Sequence, residues 1–348
     1  EQISAGKARV VIVGNSEAPI NQECIDGYGA MGALATEEGL RQLEGKQPSD
    51  PSEVDWRRAS RPFGQNCGFT LAESAQFVVL MDDALALQLG AEVHGAVTDV
   101  FINADGFKKS ISAPGPGNYL TMAKAVASAI QIVGEDSVRQ HSFVHAHGSS
   151  TPANRVTESE LLDRIAATFG IHAWPVTAAK AYVGHSLASA SADQLVSALG
   201  SFKYQIIPGI KTIDAIADDV HQQHLRISTT DTRRDEQPLE VCFINSKGFG
   251  GNNASAVVLA PQVVDRMLEK RYGAQRFADY CALREHTRAA ASRYDQQAQT
   301  GQFNILYNFG NDQIDDQQLQ MTAQQIQVPG FRQPLVFSKD PRFSDMLD

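Results

Sequence analysis

Three short stretches of the 348-residue chain gather residue types that do chemistry. The first is Val144-His145-Ala146-His147-Gly148-Ser149-Ser150-Thr151-Pro152. An apolar run ends on a histidine and breaks into a hydroxyl-rich turn, and such strand-end loops in α/β folds are where ligands bind. A His-x-His pair can ligate a metal, but His145 and His147 share a face only if a strand continues to His147. No nearby cysteine or carboxylate completes a metal set, and a packed core histidine is the ordinary alternative. The second is Lys180-Ala-Tyr-Val-Gly184-His185-Ser186-Leu187-Ala188-Ser189-Ala190-Ser191-Ala192. His185 at a helix N-terminus would feel the positive end of the dipole, which disfavours its protonation. A neutral imidazole can donate one hydrogen bond to a developing oxyanion, although the small residues also suit plain close packing. The third is Asn245-Ser246-Lys247-Gly248-Phe249-Gly250-Gly251-Asn252-Asn253-Ala254-Ser255. It lacks the ending of a P-loop, and no helix signal follows. Its glycines let backbone amides approach a substrate, or they form a tight β-turn and nothing more.

The elements that must position these segments alternate in type. Strand-like runs lie at 10–13, 77–80, 95–102, 143–146, 174–177, 241–245 and 254–259, and helical stretches at 25–45, 119–133, 155–170 and 186–204. That alternation predicts a layered α/β fold. Asp50-Pro51-Ser52 and Ala113–Gly117 read as loops. After Pro261, helices are predicted over 263–272 and 275–299, then a glutamine-rich stretch to Gln327 and an extended end at 328–334. Gly6 reads as a helix stop.

Composition removes other classes. Thirty Lys and Arg against forty Asp and Glu give a net charge of −10, against the basic footprint of a general nucleic-acid binder. The four cysteines (Cys24, Cys67, Cys242, Cys281) form no CxxC, so neither a zinc knuckle nor a disulfide framework is indicated. No apolar run is long enough to span a membrane. A reduced, cytoplasmic setting is expected.

Taken in order, the three segments resemble the β-ketoacyl-acyl-carrier-protein synthases, condensing enzymes of the thiolase superfamily. The family pattern is His-Gly-Thr-x-Thr-Pro, then Lys-x-x-x-Gly-His, then Gly-Phe-Gly-Gly-x-Asn-Ala-Ser. Val13–Ala18 and Arg61-Pro62-Phe63 with Gly68-Phe69 and Glu73 are weaker family-like stretches. The resemblance covers about residues 1–260. It implies a thiolase-like αβαβα sandwich, with 1–90 the remainder of an N-terminal half, 91–261 a complete C-terminal half, and 262–348 a helical, glutamine-rich appendage. It implies a decarboxylative Claisen condensation between malonyl-carrier protein and an acyl thioester, in a homodimer, with no metal and no cofactor beyond the substrate's phosphopantetheine.

By the same resemblance His147 and His185 stabilise the enolate oxyanion, and Lys180 holds the local charge network with Glu158 as its partner. Phe249 gates the acyl pocket and donates its N–H to the acyl oxyanion, while Ser149 and Thr151 bind the pantetheine arm. Carrier protein is acidic, so Arg57, Arg58 and Arg61 form the expected docking patch. The family's nucleophilic cysteine lies at a helix N-terminus upstream of the segment matching residues 1–14, and none of the four cysteines here fits. The chain therefore reads as a C-terminal fragment, or as a cysteine-less relative. Arg155 replaces a usual Asp, Gln194 a common Glu, and Ala72–Ala75 a Gly-rich run, which points to a divergent subgroup. A non-catalytic partner of the chain-length-factor kind is the alternative reading. A thiolase is disfavoured because the loop at 248–252 carries no cysteine.

Overall fold

The apolar runs at 10–13 and 77–80 pair with one another. In the computed structural model, β1 (Val10–Glu17) and β2 (Ser74–Met81) form an antiparallel ribbon. Residues 1–47, 49–108, 114–302, 309–311, 313–337 and 346 are described. Between β1 and β2 lie α1 (Gln22–Ala30) and α2 (Glu37–Leu43). The sequence predicts one helix over 25–45. It breaks because Gly32 turns at φ +63° and Leu34 bridges Phe69. Thr36 then restarts it, accepting from the Gly39 N–H at 3.1 Å, as an N-cap does. Gly6, at φ +69°, closes a single helical turn, with Lys7 N–H reaching Gln2 O and Gly6 N–H reaching Ile3 O, a Schellman arrangement.

The chain continues through α3 (Asp83–Leu89), β3 (Ala96–Ala104), α4 (Gly117–Val133), α5 (Glu135–His141), β4 (Ser142–His145), α6 (Pro152–Phe169), β5 (Trp174–Thr177) and α7 (Lys180–Val183). Then come α8 (Ala190–Tyr204), β6 (Ile206–Ile207), β7 (Leu225–Ile227), β8 (Thr232–Arg233), β9 (Val241–Gly248), β10 (Asn252–Leu259), α9 (Pro261–Tyr272) and α10 (Ala274–Gln299). The predicted strands are all present. The helix predicted from Ser186 begins as a 3-10 turn at Leu187–Ser189. The loop reading at Ala113 lies outside the described residues.

Six strands form the central sheet in the order β3-β10-β9-β4-β5-β7. The β3, β10 and β9 pairings are antiparallel, and β9, β4, β5 and β7 run parallel. Val241 to Asn245 and Ser142 to His145 are wholly buried, as unbroken strand runs covered on both faces should be. Helix α4 lies on β3 and β10, and α8 lies against β9 and β2. Phe143, Trp174 and Phe243 fill the core, and the Trp174 indole N–H donates to Ser142 Oγ at 2.8 Å.

Contacts divide the chain into two units, Glu1–Arg288 and Ala289–Asp348. The sequence reading starts its appendage at 262, but the first unit runs on because Val263, Val264, Leu268 and Tyr280 are buried in its core. In the second unit β11 (Gln320–Met321), β12 (Gln325–Gln327) and β13 (Leu335–Val336) form a small antiparallel sheet. The extended end predicted at 328–334 folds back instead. Gly330 at φ +81° follows Pro329, and Phe331 N–H donates to Val328 O, the signature of a type II turn. Among the described residues no helix is long and apolar enough to cross a membrane.

Candidate active site

The three motif segments meet because of strand direction. β9, β4 and β5 are parallel neighbours, so their C-terminal ends open on one edge. Ligands bind at that edge in α/β sheets. His147 lies just past β4, Lys180 just past β5, and Lys247 to Phe249 at the end of β9 and the turn beyond it. They surround a cavity of about 1060 Å³, lined among others by Phe69, His147, Ser149, Thr151, His185, Lys247 and Phe249.

The loop carrying His147 is held from beneath by Glu158 on α6. One carboxylate oxygen accepts the His147 N–H at 2.7 Å and the other the Gly148 N–H at 2.9 Å. The amides of Asn245 (2.6 Å) and Asn154 (2.9 Å) complete its shell. Gly148 sits at φ +52°, and a Cβ there would meet Ala178 Cβ at 2.5 Å, so a side chain is excluded on two counts. Asn245 and Asn118 bond each other through their amides. Asn118 carries no sequence signal, because its partner lies 127 residues away.

Lys180 is fully buried and donates to His147 O at 2.7 Å. Its expected pairing with Glu158 is therefore made through the His147 peptide, since no direct ion pair joins them among the described residues. Burial lowers the Lys180 pKa to about 8, against the opposing pull of Glu158 and Asp193. Arg155, which stands where the family has an Asp, makes no bond to this network. Its guanidinium faces away, bidentate on Asp219 (2.8 Å to each oxygen) and bonded to Asn66. Gln194 uses its amide as a donor to the carbonyls of His145, Ala146 and Asn245, which an ionised Glu could not do.

The two cavity histidines stand edge to face, ring centres 5.2 Å apart. His147 Nδ1 accepts from the Lys247 N–H at 3.3 Å, and His185 Nδ1 accepts from the Leu187 N–H at 3.1 Å. A ring nitrogen that accepts carries no proton, so each neutral ring keeps its hydrogen on Nε2. Both rings are held neutral. Burial, then Lys180, lowers His185 to about 2, and burial with Lys180, His185 and Lys247 takes His147 well below its ordinary value. The sequence attributed His185's neutrality to a helix dipole. The α-helix begins only at Ala190, and burial is the larger cause. His145 is not a cavity residue. It points to Ser197 Oγ (2.9 Å) and burial lowers its pKa to about 3, so the His-x-His pair is not a metal pair. Among the described residues no cluster of three or more His, Cys, Asp or Glu could hold a metal.

Phe249 stands at the cavity mouth, half exposed, its ring 6.0 Å from Tyr28. Its turn is closed by Gly251 N–H on Gly248 O, with Gly250 at φ +88°. Ser149 and Thr151 line the cavity, their hydroxyls 3.1 Å apart. The three arginines differ. Arg57 is exposed beside Asp55, Arg58 is tied to Thr212 O and Asp214, and Arg61 is half-buried on Gln65 O. None of the four cysteines lines the cavity. Burial raises the thiol pKa of Cys242 strongly and that of Cys67 as well.

Residues 94–214 match the C-terminal domain of the beta-ketoacyl synthases. Over 346 residues, 99% of this chain and 54% of the relative, the sequence is 72% identical to the beta-ketoacyl-[acyl-carrier-protein] synthase FabY of Pseudomonas aeruginosa. The crystal structure of FabY from P. aeruginosa superposes with a TM-score of 0.91 at 73% identity, covering 99% of this chain and 53% of that one. A ketosynthase complex with a type II polyketide acyl-carrier protein shares the fold alone, at TM-score 0.60 and 22% identity over 74% of this chain and 58% of that one. The FabY match spans 99% of this chain, and the chain spans about half the length of the curated relatives it matches. The fold is mixed α/β and thiolase-like, and residues 94–214 form the C-terminal domain of the β-ketoacyl synthases.

Proposed function

We propose that this chain carries the decarboxylation and condensation machinery of a 3-oxoacyl-acyl-carrier-protein synthase. One observation carries the reading. Two neutral imidazoles have their Nδ1 atoms occupied by backbone N–H groups, so both Nε2–H groups are left as donors in one cavity. In the proposed step the bond between the α-carbon and carboxylate of a malonyl thioester breaks and CO₂ leaves. The electron pair becomes an enolate, whose oxygen accepts from His147 and His185. The enolate carbon then attacks an acyl thioester carbonyl, and the Phe249 N–H receives the oxyanion. Expulsion of the thiolate gives the 3-oxoacyl thioester. The acyl group rides on a thiol other than the four cysteines of this chain, which lie off the cavity.

Lys180 orients the His147 peptide and adds positive charge, Glu158 fixes the same loop, and Ser149 with Thr151 receives the pantetheine arm. Acyl-carrier protein is the proposed partner, with Arg57 the most accessible cation of its docking patch, and the assembly is a cytoplasmic homodimer. Malonyl-pantetheine decarboxylation, followed as CO₂ release, tests the reading. His147→Ala and His185→Ala should each slow it about 10²–10³-fold, the cost of one oxyanion donor. No release above background by the unaltered protein would replace the enzyme with a non-catalytic synthase partner.

A further inference from the structure

The cavity holds a cation that the condensation step leaves unused. Lys247 follows Ser246 at the end of β9, and its backbone N–H is the group that bonds His147 Nδ1 at 3.3 Å. Its side chain lines the same cavity as both histidines. Its ammonium has no hydrogen-bond or ion-pair partner among the described residues. The other cavity lysine, Lys108, is paired with Asp105 at 3.1 Å. Asp105 is itself saturated, accepting also from the Gly117 N–H and the Asn253 amide. Glu160 is the other carboxylate on the wall. Glu158 and Asp105 attract this ammonium from beyond ion-pair distance. A half-buried ammonium with no bonded partner, beside two neutral donors, calls for an anionic ligand, because burying an unpaired charge is costly.

We infer that Lys247 binds the free carboxylate of the malonyl thioester and so selects the anionic extender over uncharged acyl thioesters. The inference rests on the condensing-enzyme reading and names the substrate group that site takes. Distance along the substrate favours the carboxylate over the phosphate of a pantetheine arm. The histidines receive the thioester oxygen. The carboxylate hangs one methylene from that carbonyl, whereas the phosphate lies at the far end of the arm. Lys247 is bonded to His147 and sits at the carbonyl end. Its attraction is strongest before CO₂ departs, so it tightens ground-state binding without lowering the barrier.

Calorimetric titration of the 348-residue protein with malonyl-pantetheine and acetyl-pantetheine tests this without requiring turnover. Neither ligand carries phosphate. The unaltered protein should bind the malonyl ligand about tenfold more tightly, the scale of one hydrogen bond to a charged group. Lys247→Met should erase that preference and leave acetyl-pantetheine affinity unchanged, while Lys247→Arg should retain it. Equal affinity for both ligands, or a preference that survives in Lys247→Met, overturns the inference. Binding of neither ligand overturns the condensing-enzyme reading itself. A Lys247 effect that appears only with phosphopantetheine ligands assigns the ammonium to the phosphate and overturns the carboxylate assignment.

Discussion

The closed end of the cavity and its mouth are built on opposite plans. At the closed end Glu158, Asn245, Asn118 and Lys180 are buried and bonded to named partners, and the histidine tautomers follow from backbone donors. At the mouth, Phe249 is 51% exposed on a turn of three glycines, and the half-buried Lys247 that leads into the turn has no bonded partner for its ammonium among the described residues. The lesson is a division of labour. A saturated polar network fixes donor geometry before substrate arrives, as oxyanion stabilisation requires. The mouth leaves its groups unsatisfied so that substrate supplies the partner.

The largest break of that contrast is at Glu158. Glu158→Ala strands two backbone N–H groups, two amides and the Lys180 charge. Removing one partner of a buried charge network costs about 3–5 kcal/mol, so a clear fall in Tm is expected together with loss of malonyl decarboxylation. A variant with unchanged Tm would mean that the closed end is not held by this carboxylate.

Next comes pH. His145, His147 and His185 are all lowered by burial. Between about 6.5 and their folded values the unfolded chain binds protons that the folded chain refuses. Stability therefore falls as pH falls below about 6.5, by about 1.4 kcal/mol per pH unit for each histidine. Denaturant titrations at pH 7, 6 and 5 check this, and a flat profile would mean that the rings accept protons in place. No comparable loss arises from the exposed mouth.

The smallest effect is expected at the surface. Arg57→Glu should raise the KM for carrier-bound substrate a few-fold and leave pantetheine substrates alone, as a rim charge does. Arg58→Glu should also lower Tm, because Arg58 is already committed to Thr212 and Asp214. Equal loss on both substrate types would remove this surface from docking.

The same contrast explains what the sequence made legible. His147, Lys180, His185 and the Gly-Phe-Gly-Gly turn could be read because each lies in a short local pattern at a strand end. Asn118 could not, since its role depends on a partner 127 residues away. The direct Lys180–Glu158 pairing expected from the sequence is not made, because the His147–Gly148 peptide group stands between them. The break in the helix over 25–45 depended on Leu34 bridging distant Phe69, a tertiary pairing that local propensity does not carry.

The central claim is that both cavity imidazoles are neutral, protonated on Nε2, and aimed at one oxygen. Nitrogen-15 NMR of the imidazoles, assigned with His147→Gln and His185→Gln, reads it directly. The account predicts Nε2–H tautomers for both rings, with no titration between pH 8 and pH 5. A ring that titrates near pH 6.5, or carries its proton on Nδ1, would contradict it.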